Sequence, residues 1–197
     1  MGSKFKSYWL DYLDFGIYKE NTMSYHFFWG GPLSNWYKSE FSTKIIFCGR
    51  TGRLYSSGLT TYNCVEQYMM VQKALLSNDF DTLYKIINTD DPRTQKQLGR
   101  QVVNFNSKLW DLIKFDVVYY ACMEKFVWNH DLRDDLFNTG DSILVEASPH
   151  DRIWGIGYDE KNALPNIQNW GENLLGKVLM KVRSVLRASN KLEDVSL

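Results

Sequence analysis

The chain has 197 residues, 44% of them hydrophobic and 15% aromatic, enough for one domain around a single core and too apolar for global disorder. Its 23 basic and 23 acidic residues cancel, so no basic field exists to coat long nucleic acid non-specifically, although a substrate gripped at one nucleotide stays open. Three scattered cysteines (Cys48, Cys64, Cys122) and three histidines (His26, His130, His150) argue against a disulfide framework or a zinc site, and predict a reducing, cytoplasmic setting.

Residues 1–25 read as a polar-aromatic lead-in. Its start, MGSKFKSYWLDYLDFG, is too aromatic and acidic for a signal peptide, and no apolar run in the chain approaches a membrane span. TKIIFCG (43–49) and the turn chemistry of Thr51-Gly52 predict a β-hairpin over 44–56. The pattern then turns helical. Apolar residues recur at helical spacing over 63–77, with Asn63 as N-cap and Glu66 at the third position. A second helix is predicted over 79–88. Asp91 followed by Pro92 opens a third, and Ser107 is the expected cap of the longest one, KLWDLIKFDVVYYACMEKFVWN. DLRDDLFNTG is a short helix closed by Gly140. SILVEAS (142–148) is strand-like, and DRIWGIGYD (151–159) is a glycine-punctuated loop or short strand. An amphipathic helix runs from about 171 to 188, and 189–197 is a frayed tail. The sum is an α+β fold: one compact, mostly helical domain over 26–188 with a small β-sheet.

Three stretches hold residues able to do chemistry. On the helix over 63–77, Glu66, Met69, Met70, Lys73 and Ser77 share a face. A lysine set among thioethers has its charged form desolvated, which lowers its pKa, and a neutral amine is a nucleophile that can form a Schiff base. Glu66 could reach the same molecule as acid or base. From spacing alone the favoured reading is a surface lysine and a capping carboxylate beside a methionine core stripe. In EASPHDRIWGIG, Glu146 and Asp151 bracket a turn, Trp154 offers a stacking face, and Gly155 and Gly157 would let backbone N–H groups approach an anion. A tight turn with a buried Trp fits that stretch as well, and His150 reads as a solvated turn residue. In QLGRQV, Arg100 could grip phosphate or simply pair at the surface. No P-loop, dinucleotide fingerprint, zinc-protease helix or nucleophile elbow occurs.

Taken in order, FFWGGPLSNWYKSEF, TTYNCVEQYMMVQKALL, DDPRTQKQLGRQVVNF, the Trp, Lys and Phe within 110–126, LFNTGDSILVEASPHDRIWGIG and NLLGKVLMKVR resemble the NADAR (YbiA-like) family, from about residue 26 to 187. The resemblance implies a compact α+β domain that hydrolyses an N-glycosidic bond at ribose C1 without metal or cofactor. Two substrate classes come with it: ADP-ribose on guanine bases of DNA, and the phosphoribosylamino-pyrimidine intermediates of riboflavin synthesis. It implies catalytic roles for Lys73, Glu66 and Asp151. The ligand wall would be Gly30, Gly31, Ser34, Asn35 and Trp36, with Arg100, Glu146, Trp154 and Gly155 completing the binding set. One departure stands out: many members carry His after the Glu, and this chain has Gln67, which can hydrogen-bond but cannot titrate. The partner expected is an ADP-ribose-bearing nucleotide or nucleic acid, with no membrane and no stable protein partner. A binding module that holds ADP-ribose without turnover is the third reading.

Overall fold

The computed structural model describes residues 24–48 and 53–195, with side chains over 24–43 and 58–190. The lead-in and the Thr51-Gly52 turn therefore lie outside the described residues, apart from Ser24 and Tyr25. Among the described residues there are four strands: β1 (Tyr25–Phe28), β2 (Phe41–Cys48), β3 (Arg53–Tyr62) and β4 (Ile143–Glu146). The same residues form seven α-helices: α1 (Val65–Leu76), α2 (Phe80–Ile87), α3 (Pro92–Arg100), α4 (Ser107–Trp128), α5 (His130–Asn138), α6 (Glu160–Ala163) and α7 (Leu174–Val195), with a 3₁₀ turn over Leu164–Asn169. The α+β class and the small sheet agree with the sequence reading. The sheet is two separate pairs, however: β1 parallel to β4, and β2 antiparallel to β3.

The hairpin is longer than the predicted 44–56, pairing Phe41 with Tyr62 at its open end. Phe41 stacks on Tyr62 at 5.7 Å, and Tyr62 meets Tyr68 of α1 edge-on at 5.0 Å. These rings extend the strands into the core, a tertiary gain that turn signals do not encode.

α1 is the central element. Ten of its twelve residues are buried, as a helix packed on all sides requires. Its cap differs from the expected Asn63 and Glu66 pair. Cys64 is the N-cap, and its sulfur accepts the Gln67 N–H. Gln67, at the third helical position, reaches back to accept the Asn63 N–H at 2.8 Å and donates to the carbonyls of Ile86, Ile87 and Thr89. Gln67 thus ties α1 to the end of α2.

Asp79 and Asp91 cap α2 and α3, and Gly140, with φ of 58°, follows α5. The cap of α4 is Asn106, which accepts from Leu109 N–H, so Ser107 is its first helical residue and not its cap. α7 begins at Leu174, three residues later than expected, and continues past 188 to Val195. Its start is set by the preceding loop, whose carbonyls at Arg152, Ile153, Trp154 and Gly155 accept the N–H groups of residues 172–175. Among the described residues no helix is long and apolar enough to cross a membrane.

Candidate active site

The shared face of α1 opens onto a cavity of about 410 Å³, within the range of small-molecule sites. Glu66, Met69, Met70 and Lys73 form the α1 wall. α3 contributes Lys96 and Arg100, one helical turn apart, and the loop after β4 contributes Asp151, Ile153 and Trp154. Phe105 and the first turns of α4, with Trp110 and the Asp111–Lys114 ion pair at 3.0 Å, close it. Lys73, Glu66, Asp151, Arg100 and Trp154 therefore meet around one space, although 85 residues separate Glu66 from Asp151 in the chain.

α3 reaches α1 because residue 99 is glycine. A Cβ there would collide with Met70 Sδ, so the missing side chain brings Lys96 and Arg100 over the α1 face.

Glu66 is buried, and burial pushes its carboxyl up to about 7 against the pull of Lys96 and Lys73. Its Oε1 has no hydrogen-bond partner. The carboxyl is thus a wall of the cavity and not a helix cap, which decides between the two sequence readings of this face. Lys73 is half-buried, its Nζ 5.3 Å from the Phe105 ring centre and 5.2 Å from that of Trp110. Burial lowers its pKa; Glu66 opposes this, while Lys96 and Arg100 add to it. Asp151 is held by its own backbone: Oδ1 accepts the N–H groups of Ile153 at 2.9 Å and Trp154 at 2.8 Å. Glu146 sits behind it. Burial, then the Asp151 charge, pushes Glu146 up to about 8, and its Oε2 is also unpartnered. The Glu146 main chain is fixed by Asn173, which accepts its N–H and donates to Leu144 O.

The loop over 151–157 is not the open anion cradle that its glycines suggested. The N–H groups of Ile153, Trp154, Ile156 and Gly157 are all bonded within the protein. Gly155 is buried, and a Cβ there would stand 2.8 Å from Glu146 O, so the close approach is to the chain itself.

The aromatic stretch over 27–37 divides between two places. Trp36 joins the site through Lys96, whose ammonium lies 5.4 Å from its ring centre. Ser34 and Asn35 are buried behind it. Ser34 Oγ accepts the Trp36 N–H, Asn35 O accepts the Glu66 N–H, and Asn35 Oδ1 is unpartnered. Gly30 and Gly31 are exposed, with φ of 91° and 66°, and reverse the chain after β1 outside the cavity lining. Trp29 stands over a separate hollow beside Ala147 and Asp159. Sequence reasoning did not assign Lys96, Phe105 or Trp110 to the site. Lys96 was findable, four residues before Arg100 on one helix face. The two rings were not, because nothing local says that the start of α4 meets α1.

The chain belongs to the NADAR domain family, whose model matches residues 27–187. It is 48% identical over 124 residues to "N-glycosidase R617" of Acanthamoeba polyphaga mimivirus, covering 62% of this chain and 73% of that one. It is 41% identical over 131 residues to "Riboflavin biosynthesis protein PYRR, chloroplastic" of Zea mays, covering 63% of this chain but only 20% of that much longer protein. The solved structure of the E. coli protein YbiA superposes with a TM-score of 0.64 at 26% identity, covering 86% of this chain and 88% of that one.

Proposed function

We propose that this chain is an N-glycosidase that cleaves a ribose C1–N bond, and that its substrate is ADP-ribose joined to guanine in DNA. The observation that carries this reading is the meeting of the Lys73 amine with the Glu66 and Asp151 carboxyls in one cavity beside two further cations, Lys96 and Arg100.

The chemistry follows from the protonation states. Glu66, pushed up to about 7, holds its proton near neutral pH and gives it to the ribose ring oxygen as the C1–O bond opens. The lone pair of the base nitrogen forms a C1=N bond in its place. The Lys73 amine, its neutral form favoured by burial, adds to C1. A proton passes to the base nitrogen, the C1–N bond breaks, and C1 is left as an imine of Lys73. Water adds across that imine and the amine departs. The freed aldehyde closes to ribose, so one water is consumed. Asp151 anchors the ribose hydroxyls or relays protons. Lys96 and Arg100 suit the diphosphate, Arg100 by its planar fork. Trp154, Phe105 and Trp110 present flat faces for a base. A module that only binds ADP-ribose needs neither the buried acid nor the desolvated amine.

The riboflavin-pathway intermediate is a second reading, favoured by the relatives of that name. Incubation with an oligonucleotide carrying ADP-ribosyl-guanine, and separately with the phosphoribosylamino-pyrimidine, decides between them. The expected result is free ADP-ribose and restored guanine in the first tube, with borohydride fixing the sugar to the peptide that contains Lys73. Turnover in the second tube alone moves the assignment to the pyrimidine. Binding with no turnover in either leaves a reader module.

A further inference from the structure

The amine of Lys73 stands in the cavity without a polar partner. Among the described residues its Nζ makes no hydrogen bond and no ion pair. What it meets is two rings, Phe105 at 5.3 Å and Trp110 at 5.2 Å from their centres, within the range where a ring face attracts an ammonium. The rings lie 6.2 Å apart with an angle of 56° between their planes, so the amine faces both at once. The chain fixes them locally. Asn104, with φ of 55°, turns the backbone ahead of α4, and Asp79 holds the Val103 N–H at 3.0 Å. Asn106 caps α4, and its carbonyl accepts the Trp110 N–H.

This placement is not the one that charge alone would choose. Helical side chains lean toward the N-terminus, so the stem of Lys73 leads back toward Glu66 on the same face. Each group acts on the other's charge, yet they form no ion pair. The other charged groups lining the cavity are Lys96 and Arg100 of α3, Asp111 and Lys114 of α4, and Asp151 after β4. Asp111 and Lys114 pair with each other, Lys96 lies over Trp36, Asp151 accepts backbone N–H groups, and Arg100 is a like charge. A closed Glu66–Lys73 pair would pass the carboxyl's proton to the amine. The resulting carboxylate and ammonium would be neither acid nor nucleophile.

We propose that Phe105 and Trp110 are positioning residues: they hold the Lys73 amine on their faces and so keep it from closing an ion pair on Glu66. The inference rests on the reading of Lys73 as nucleophile and Glu66 as acid, but it concerns contacts that exist without substrate. Trp154 and the exposed part of Phe105 stay open to a base.

The test is a pair of pH titrations in substrate-free protein, following the ¹³C signals of the Glu66 carboxyl and the Lys73 ε-carbon, assigned with Glu66→Gln and Lys73→Met. Phe105→Leu removes one ring face. The Glu66 midpoint should fall from about 7 by about one pH unit and the Lys73 midpoint should rise, as for opposite charges brought together. Trp110→Leu should move both midpoints the same way, and Phe105→Tyr, which keeps a ring, should leave both in place. In a Lys73→Met background, Phe105→Leu should no longer move Glu66. An unmoved Glu66 midpoint in either leucine variant overturns the proposal. So does a fall that persists in the Lys73→Met background, which reports water entering the cavity, or a Lys73 midpoint that drops, which reports only a lost ring contact. Should Trp110→Leu, at a buried position, not fold, Phe105→Leu is read by the same criteria, since Phe105 is 36% exposed. No turnover is measured, so failure of the proposed reaction and failure of this inference remain distinguishable.

Discussion

Lys73 and Glu66 occupy the same helix face two turns apart, and the cavity makes opposite demands on them. Burial discourages charge on both, raising the Glu66 carboxyl to about 7 and lowering the Lys73 amine below its ordinary value. Lys73→Met keeps the volume and removes the nucleophile. It should abolish borohydride trapping and lower kcat by at least about 100-fold, read in a single-turnover assay with the oligonucleotide substrate. Glu66 also has a consequence for stability. Its carboxyl stands at about 7 in the folded chain against an ordinary value of 4.5. Between those values the folded state holds a proton that the unfolded state has lost, so stability falls as pH rises through that window and then levels off. Glu66→Gln should therefore match the parent protein below about pH 4.5. Above pH 7 it should be the more stable by roughly 1–3 kcal/mol, seen in melting temperature against pH, while losing activity.

At the scale of elements, the site depends on how closely α3 approaches α1 and how firmly α1 is tied at its start. Gly99→Ala places a methyl group against buried Met70. The expected loss is about 1–3 kcal/mol in urea denaturation. Because Lys96 and Arg100 ride on α3, KM should rise more than kcat falls. Gln67 faces the α2 end and not the cavity. Gln67→Ala strands the Asn63 N–H and three carbonyls, for an expected loss of about 1–3 kcal/mol. The pH profile of kcat should stay in place, which separates it from every cavity variant. The boundary errors in the sequence reading belong to this scale. Asn63 and Cys64, or Asn106 and Ser107, are adjacent residues able to cap, and only the packing of the finished helix selects one. The late start of α7 was invisible because its N–H partners lie in a neighbouring loop.

For the molecule as a whole, zero net charge and a small group of cavity cations set the expected salt response. If Lys96 and Arg100 meet the diphosphate and no wider basic surface meets the strand, log KM should rise against log salt with a slope of about 2 at most. A steady-state series at increasing NaCl measures it. A slope several times larger would mean that the strand itself is gripped along its backbone. Arg100→Ala should remove about one from that slope and leave kcat in place.

Composition and hydrophobic period were enough to give the α+β class, the order of the helices and the amphipathic face that carries Glu66 and Lys73, because those properties are local: a 3.6-residue period puts residues on one side whatever the neighbours do. They could not say which side was a cavity. The choice between a capping carboxylate and a buried acid, between an anion cradle and a loop with four of its N–H groups already bonded, and between a surface lysine and one half-buried beside two rings at position 73 was made only when α3, α4 and the loop after β4 closed over α1. Desolvation and hydrogen-bond satisfaction depend on which distant groups fill the surrounding space, and sequence spacing does not contain that information.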